Sequence, residues 1–341
     1  MNDELSLIQC PVREELETFN SMLREALDHD NPLLKIALNH LAQRRGKQMR
    51  PILTLLSAKA KGAVSEGVLH AALALELLHT ASLVHDDVVD ESDRRRGQKS
   101  VNTLLDNKAA VLIGDYILSK ALQHASMTGD VRIVEMVSVL GQTLADGELL
   151  QLDNISGRDF SESSYYEVVR KKTASLFSVC AEAGAVLSSG DEGFRYVMKR
   201  LGMLIGMCFQ LRDDIMDIDS STDIGKPVGN DLREGKLTLP VLYVCQKNAR
   251  AAELAILVRE GRAGREEIDR LIEMTKCEGG IAFAESAMAE LSGLASGLLD
   301  EIQNRSVAQA LQAYINYVSD RKIYSQYRAD RVLPTMRPVS D

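Results

Sequence analysis

Two apolar stretches of this chain each end in the same acidic pattern, DDxxD. The first is LLHTASLVHDDVVDESDRRRG, residues 77–97, and the second is FQLRDDIMD, residues 209–217. On a helix, aspartates four residues apart share one face, where like charges repel. A divalent cation between them would reverse that repulsion, so the two patterns predict a paired metal site. The six carboxylates concerned belong to Asp86, Asp87, Asp90, Asp213, Asp214 and Asp217.

The rest of the chain predicts an all-α protein. Its 341 residues contain only seven prolines, and long stretches carry no turn signal. No linker rich in Pro, Gly or Ser divides it, so we expect one large helical domain over residues 1–341, with a flexible tail from about residue 330. Hydrophobic periodicity predicts helices over 11–30, 33–43, 108–125, 131–152, 161–187 and 192–219, and the helix of the first acidic stretch begins near Val64.

Gly202 and Gly206 lie four residues apart within the predicted helix 192–219. Each glycine costs a helix about 1 kcal/mol relative to alanine. We therefore expect another helix or a substrate to approach closely at this face.

Composition excludes several classes of function. The net charge of −9 disfavours a nucleic-acid role through a general basic surface. The five cysteines are scattered without a CxxC pair, which is typical of reduced thiols in a cytosolic protein. The N-terminus lacks a charged-then-apolar signal, and no run of eighteen uncharged apolar residues occurs, so we expect a cytoplasmic protein without a membrane span.

The acidic pairs indicate a chemistry. Buried carboxylates must be paired, and oxygen-only ligands select Mg²⁺, with Mn²⁺ as the other candidate, over zinc. Mg²⁺ usually takes one or two carboxylates plus substrate phosphates, so each DDxxD provides half a site that a diphosphate completes. The ions would make the diphosphate a good leaving group, and an allylic carbon leaves behind a sufficiently stable cation.

A basic turn, RRGKQMRP at residues 44–51, precedes another apolar helix. It is either a solvated turn or an anion site, because basic side chains beside a helix N-terminus attract phosphate. Further cations suited to an anion are Arg95 and Arg96, which follow the first acidic pattern.

Taken together, these motifs give the chain a resemblance to the trans-polyprenyl diphosphate synthases of the isoprenoid synthase fold. The resemblance runs from about residue 43 to 245, and beside the acidic patterns it includes GKQMRP (46–51), GDY (114–116), RKKTASLF (170–177) and GKPVGNDLREGK (225–236). It implies a helical bundle with a central substrate cavity, three Mg²⁺ ions, a homodimer, and two substrates, isopentenyl diphosphate and an allylic diphosphate.

The resemblance also implies residue roles. Asp86 and Asp90 would hold two of the ions, with Asp87 in support. Asp213 and Asp217 would hold the third ion, and Asp214 belongs to the same set of metal ligands. The isopentenyl diphosphate would be bound by Lys47, Arg50, His79 and Arg96. The allylic diphosphate would be held by Arg95, Lys172, Thr173, Gln210, Lys226 and Lys236. The catalytic set would be Asp86, Asp90, Asp213, Lys172 and Lys226.

The expected reaction is ionisation to an allylic cation, attack by the isopentenyl double bond, and proton loss to the departing diphosphate. The basic turn departs from the family pattern GGKR, because Arg45 stands in place of the first glycine and Gln48 in place of the arginine. Arg44 or Arg45 is the candidate to replace the missing phosphate contact.

Chain length can be reasoned from helix geometry. An extended isoprene unit is similar in length to one helical turn, ~5.4 Å, so residues one, two and three turns before Asp86 act as a ruler. The same resemblance implies an aromatic plug at the first step in a short-chain enzyme. Ala81 and Ser82 are small here, so we expect a deeper floor, at Leu78, Leu77 or Leu75. We expect a medium- to long-chain all-trans product of the kind that becomes a quinone side chain. The alternative is that the small residues only allow tight helix packing.

Other functions remain as alternatives. They are a farnesyl or geranylgeranyl diphosphate synthase, a class I terpene cyclase, a metal phosphohydrolase built on His85 and Asp86 with His79 or His70, and a regulatory subunit. A cyclase would want an aromatic-lined pocket and an NDxxSxxxE motif, whereas aromatics are 4% of this chain and Trp is absent. A regulatory subunit would be expected to have lost the acidic motifs. The expected product is greasy, which allows peripheral contact with a membrane.

Overall fold

The computed structural model describes residues 3–43, 46–95, 97–157, 161–219 and 228–320. Within these ranges the chain is helical apart from connecting turns and one short antiparallel hairpin, β1 (Arg94–Arg95) and β2 (Gln98–Lys99). The predicted all-α fold is confirmed. Arg44, Arg45, Arg96, Lys226 and the predicted tail lie outside the described residues.

The helices follow the chain in this order: α1 (Asp3–Gln9), α2 (Arg13–Ala26), α3 (Pro32–Gln43), α4 (Met49–Lys59), α5 (Glu66–Val89), α6 (Val101–Leu104), α7 (Asn107–Met127), α8 (Val131–Ser156), α9 (Glu162–Val169), α10 (Ser175–Ser188), α11 (Glu192–Ile218), α12 (Asn230–Arg233), α13 (Leu239–Lys247), α14 (Ala249–Arg259), α15 (Arg265–Cys277), α16 (Gly280–Gly297) and α17 (Arg305–Ser319). Short 3₁₀ turns occupy Cys10–Val12 and Leu298–Glu301. The helix predicted over 11–30 is therefore shorter, because Pro11 belongs to the preceding 3₁₀ turn.

Helix α5 is the centre of the bundle and carries the first acidic motif at its C-terminal end. It begins at a Ser65 cap, whose side chain accepts a hydrogen bond from the backbone N–H of Val68. It packs on α7, α4, α10 and α2. Among the described helices it alone is long and apolar enough to cross a membrane by length and composition, and 61% of that stretch is buried inside the protein.

Helix α11 carries the second acidic motif and packs closely against α10. A Cβ at Gly202 would lie 2.4 Å from the carbonyl oxygen of Phe177, and one at Gly206 would lie 2.5 Å from Cα of Ala174. The expected close approach at these glycines is confirmed, and the neighbour is another part of the chain.

The helix predicted over 161–187 is interrupted. Residues Arg170–Ala174 form a π-turn between α9 and α10. On one side the turn lies against α8, where a Cβ at Gly147 would come within 2.9 Å of the backbone nitrogen of Lys172. Such π-turns are frequent at functional sites, and this one carries two of the predicted site residues, Lys172 and Thr173.

The end of α11 lies at the seam between two packed regions. Leu211 and Ile215 belong to the main core, whereas Ile218 packs in a smaller cluster with Val241 and Leu254 from α13 and α14. The second acidic motif is thus fixed by both regions.

Candidate active site

The two acidic motifs come together through the segment that follows α11. Lys236 Nζ lies 3.8 Å from Asp90 Oδ1 of the first motif. The backbone N–H of the same lysine donates to the carbonyl of Asp231 (2.8 Å), whose own N–H donates to Asp217 Oδ2 of the second motif (3.0 Å). The ends of α5 and α11 therefore face one cleft.

In the first motif, Asp86 is the carboxylate that burial disturbs most. Burial raises the pKa of Asp86 to about 6, and the charges of Glu148 and Asp90 add to the increase, while Lys172 and Arg95 oppose it. A carboxylate in this environment gains when a cation enters, because the ion offsets the cost of burying its charge.

Asp87, the middle carboxylate of the first motif, is buried and accepts a hydrogen bond from Arg95 Nε (2.6 Å). Arg95 belongs to the hairpin strand β1, so this ion pair holds the hairpin against the end of α5. The structure thereby places Arg95, a predicted ligand of the allylic diphosphate, next to the first acidic motif.

In the second motif, protein donors already occupy the carboxylates. Asp214 is buried and accepts from Tyr165 Oη (2.5 Å) and Gln210 Nε2 (2.7 Å). Asp217 accepts from the backbone N–H of Asn230 (3.1 Å) as well as from that of Asp231.

Burial also changes the pKa values of the carboxylates at the second motif. Burial and the charge of Asp231 raise the pKa of Asp214 well above its ordinary value, although its two donors oppose the increase. Burial and the charge of Asp217 raise the pKa of Asp231 to about 7. Asp213 lies 3.2 Å from Nη2 of the fully buried Arg212.

The π-turn presents Lys172 and Thr173 to a cavity of about 190 Å³. Lys172 Nζ pairs with Glu148 and donates to Gln151 Oε1 (3.2 Å), and Thr173 Oγ1 donates to Gln210 Oε1 (2.8 Å). The lining includes five of the predicted site residues: Lys172, Thr173, Gln210, Asp214 and Lys236.

The basic turn lies at the start of α4. The Arg50 guanidinium stands over the ring of Phe177 (4.9 Å to its centroid), and Lys47 Nζ over that of Tyr317 (4.7 Å). Arg50 Nε is buried without a hydrogen-bond partner among the described residues. His79 is half-buried on α5. Gln48 donates to Asn20 Oδ1 (2.6 Å), so the residue that replaces the family arginine is engaged within the protein.

The predicted ruler residues line the inner side of α5. Ala81, Leu78, Leu77 and Leu75 are buried, and Ser82 is half-buried with its hydroxyl donating to the carbonyl of His79 (2.9 Å). A Cβ added at Gly141 of α8 would meet only Leu78, at 4.0 Å. At the level of Leu78 there is thus room for a methyl group on α8 at Gly141.

Two residues of the cleft have no specific role predicted from the sequence, although Asp231, with Lys226 and Lys236, indicates a functional segment after α11. Tyr165 precedes Lys172 by seven residues, two helical turns, which is the only sequence signal that could have placed both on one face. Asp231 lies on the short helix α12, whose position relative to α11 cannot be deduced from local patterns.

Potential metal ligands are spread over both motifs. Across the described ranges, no three carboxylate, imidazole or thiol groups converge closely enough to hold a metal ion by themselves. This arrangement fits an ion that shares its coordination shell between one or two carboxylates and substrate oxygens.

An all-α bundle with two facing acidic helix ends, beside a cavity lined by Lys172, Lys236 and Arg259, fits a class of protein that binds anionic substrates. The polyprenyl synthetase family model matches residues 31–275. The octaprenyl diphosphate synthase of Haemophilus influenzae is 35% identical over 274 residues, 80% of this chain and 83% of that protein. The chain belongs to the polyprenyl synthetase family.

Solved structures share the fold over nearly the whole chain. The crystal structure of geranylgeranyl pyrophosphate synthase from Bacteroides thetaiotaomicron is 45% identical, with a TM-score of 0.82, covering 93% of this chain and 99% of that one. The polyprenyl synthase of Caulobacter crescentus, complexed with calcium and isoprenyl diphosphate, is 28% identical, with a TM-score of 0.87, covering 93% and 98%. The relatives support the predicted medium- to long-chain trans-prenyltransferase activity, and synthases of shorter products also occur among them.

Proposed function

We propose that this protein condenses isopentenyl diphosphate with an allylic diphosphate, repeatedly and with Mg²⁺, to give a medium- to long-chain all-trans polyprenyl diphosphate. The observation that carries the proposal is the Lys236–Asp90 contact, together with the bond from Asp231 to Asp217. These contacts bring both acidic motifs to the cleft that also holds Lys172 and Thr173.

The residues present fit Mg²⁺ as the cofactor. Asp86 and Asp90 on α5 would hold ions on one side, and Asp213 and Asp217 on α11 on the other, while Asp87 and Asp214 support them through their own hydrogen bonds. The raised pKa of Asp86 indicates a carboxylate that needs a cation. When bound, Mg²⁺ neutralises the diphosphate and makes it a better leaving group. Mn²⁺ would suit the same oxygen ligands.

The allylic diphosphate would lie between the π-turn and the segment after α11. Lys172, Arg95 and Lys236 each carry a positive charge there, now paired with a carboxylate of the protein. The buried amide nitrogen of Gln151 makes no hydrogen bond to the part of the chain that the structure describes, and it lines the same cavity. An orphaned donor beside a lysine is suited to a phosphate oxygen. Lys226 is proposed here on the family resemblance alone.

The isopentenyl diphosphate would bind at the basic turn. Lys47 and Arg50 are held over aromatic rings, which fixes their direction, and Arg50 Nε has no acceptor among the described residues. His79 and Arg96 complete this set by resemblance. The isopentenyl double bond then attacks the allylic cation, and a proton leaves to the departing diphosphate.

Product length follows from the space beneath the first motif. Ala81 and Ser82 are small, and one turn deeper a Cβ at Gly141 of α8 would meet only Leu78, at 4.0 Å, so neither level carries a bulky plug. A shorter product is the second candidate, because the geranylgeranyl pyrophosphate synthase with a solved structure is 45% identical to this chain.

Two properties of the protein as a whole complete the proposal. More than half of the exposed large apolar side chains of the described residues lie on α7 and α8, among them Leu112, Leu122, Val131 and Val139, which supports a homodimer formed through these helices. We place the protein in the cytoplasm, with contact to a membrane only through its greasy product.

The test uses purified protein with labelled isopentenyl diphosphate and geranyl, farnesyl or geranylgeranyl diphosphate, with Mg²⁺ or with EDTA. We expect labelled products longer than geranylgeranyl diphosphate on a reversed-phase plate, only with both substrates and Mg²⁺. Products that stop at four isoprene units would support the shorter-chain alternative. Diphosphate released from the allylic substrate alone would indicate a hydrolase or a cyclase instead.

A further inference from the structure

Tyr165 on α9 makes the connection between the second acidic motif and the helix that leads into the π-turn. Its hydroxyl donates to Asp214 Oδ2 at 2.5 Å, and Gln210 Nε2 donates to the other oxygen of the same carboxylate at 2.7 Å. Gln210 and Asp214 are one helical turn apart on α11 and meet without help from another element. Tyr165 is the partner that comes from a different helix.

The hydrogen bonds continue from Gln210 to Thr173, and the orientation of the Gln210 amide is set by its bond to Asp214. Because Gln210 turns its NH₂ group towards Asp214, its carbonyl oxygen faces Thr173, whose hydroxyl donates to it at 2.8 Å. Tyr165, Asp214, Gln210 and Thr173 therefore form one hydrogen-bonded chain, and all four line the cavity beside Lys172.

The hydrogen-bonded chain reaches into the π-turn. Residues Arg170–Ala174 depart from α-helical hydrogen bonding, and the bond from Thr173 to Gln210 ties this segment to α11. The ring of Tyr165 packs beside Val169, Ala174 and Met207, and its centroid lies 5.3 Å from that of Tyr166. Removing the hydroxyl would leave this packing in place and remove only the hydrogen bond.

We infer that Tyr165 is a positioning residue for the allylic diphosphate: it holds Asp214, and through Gln210 it sets the Thr173 hydroxyl beside Lys172. This inference rests on the proposed function and deepens it. The predicted isopentenyl diphosphate ligands Lys47 and Arg50 contact Tyr317 and Phe177 instead, outside the hydrogen-bonded chain. Loss of the Tyr165 hydroxyl should therefore affect one substrate and spare the other.

Tyr165→Phe tests the inference, with Tyr166→Phe as the matched control. Tyr166 is the next residue on the same helix, and its hydroxyl makes no hydrogen bond to another described residue. With Mg²⁺ present, we expect Tyr165→Phe to raise the KM for farnesyl diphosphate about tenfold, the size of effect expected when one buried hydrogen bond is lost. The KM for isopentenyl diphosphate should change less than about twofold, because its predicted ligands share no partner with Tyr165.

A second measurement follows the coupling to Thr173. If Tyr165 acts through Thr173, the double variant Tyr165→Phe/Thr173→Val should bind farnesyl diphosphate, without isopentenyl diphosphate, hardly more weakly than Thr173→Val alone. Calorimetry gives these affinities, and thermal melts of each variant check folding.

The outcomes are distinguishable. If the wild-type protein forms no prenyl product longer than its allylic substrate, the proposed function is overturned, and this inference with it. Active wild-type protein with a Tyr165→Phe variant that behaves like Tyr166→Phe overturns the inference alone. The inference also fails if both KM values rise together, or if the two binding effects simply multiply, because a merely structural role would do either.

Discussion

The two acidic motifs have the same DDxxD pattern and different surroundings. In the second, Asp214 and Asp217 together accept four hydrogen bonds from protein donors. In the first, Asp90 lies 3.8 Å from the Lys236 ammonium, and burial raises the pKa of Asp86 to about 6. The second motif is thus held by protein donors at two carboxylates, whereas in the first Asp87 is paired with Arg95 and the surroundings of Asp86 favour an incoming cation.

The preorganised carboxylates of the second motif and the less occupied carboxylates of the first motif have complementary roles in the cleft. A prearranged side of the cleft loses little conformational freedom when a substrate binds, and the less occupied side is free to take an ion. Substitutions near the two motifs, and then farther from the cleft, test the difference between their surroundings. We expect the effects on activity or stability to decrease in that order.

Asp86→Asn should have the strongest effect. It should lower kcat for condensation by about a thousandfold, because the charge on a metal ligand is lost. The same change should leave the metal-free protein as stable or more stable at neutral pH, since an amide avoids the cost of burying a charge. Activity assays and urea unfolding without metal check both. Lower activity accompanied by lower stability would show that Asp86 is held in place for structural reasons.

Ala81→Phe should shorten the product. A phenyl ring one turn below the first motif fills the space beside α5, so chains should end after fewer isoprene units. Products are compared on reversed-phase plates with those of wild type. Gly141→Leu, which narrows the same space from α8, should shorten them less because it acts at the level of Leu78. An unchanged product pattern in both variants would contradict the ruler on α5.

Gly206→Ala should destabilise the helix of the second motif. Its Cβ would lie 2.5 Å from Cα of Ala174, and the resulting overpacking should exceed the gain in helix propensity by about 1–2 kcal/mol. Gly141→Ala is the control, because its nearest contact is Leu78 at 4.0 Å, and it should stabilise by about 0.5 kcal/mol. Urea unfolding measures both changes, and equal effects would mean that the π-turn does not pack against α11 as described.

The weakest expected effect is a pH dependence of stability that involves His124 of α7, beside His70 near the start of α5. Burial, with the neighbouring charges of His70 and Lys120, lowers the pKa of His124 to about 4. A histidine whose folded pKa lies below its unfolded value stabilises the protein above about pH 6.5, and this contribution is lost as the pH falls towards 4. Between pH 7 and pH 5 the loss should be about 1 kcal/mol after allowance for partial exposure. His124→Phe should remove that slope in metal-free unfolding curves, and an unaltered slope would assign it to other groups.

Sequence reasoning reached the fold class and named the aspartates of the two acidic motifs, because helical periodicity and aspartate spacing are both local sequence patterns. Apolar periodicity marks the helices, and aspartates four apart mark the helix ends. The costly pair Gly202 and Gly206 correctly indicated a close approach, because a glycine in a helix needs a tertiary reason.

The remaining features depend on contacts between distant segments. The break at Arg170–Ala174 lies where Gly147 of α8 approaches closely, while the local sequence is typical of a continuous helix. The donors that occupy Asp214 and Asp217 come from α9 and from the segment after α11. Local patterns could therefore name the aspartates but could not distinguish the less occupied carboxylates from the occupied ones.

Whether the two motifs act on one diphosphate is decided by a double-mutant cycle across the cleft. The condensation rate of wild type is compared with those of Asp86→Asn, Asp213→Asn and the double variant, at saturating Mg²⁺ and substrates. If both carboxylates act on the same leaving group, the double variant should lose far less than the product of the two single losses. Losses that multiply, or a single variant that keeps full activity, would contradict a shared diphosphate site.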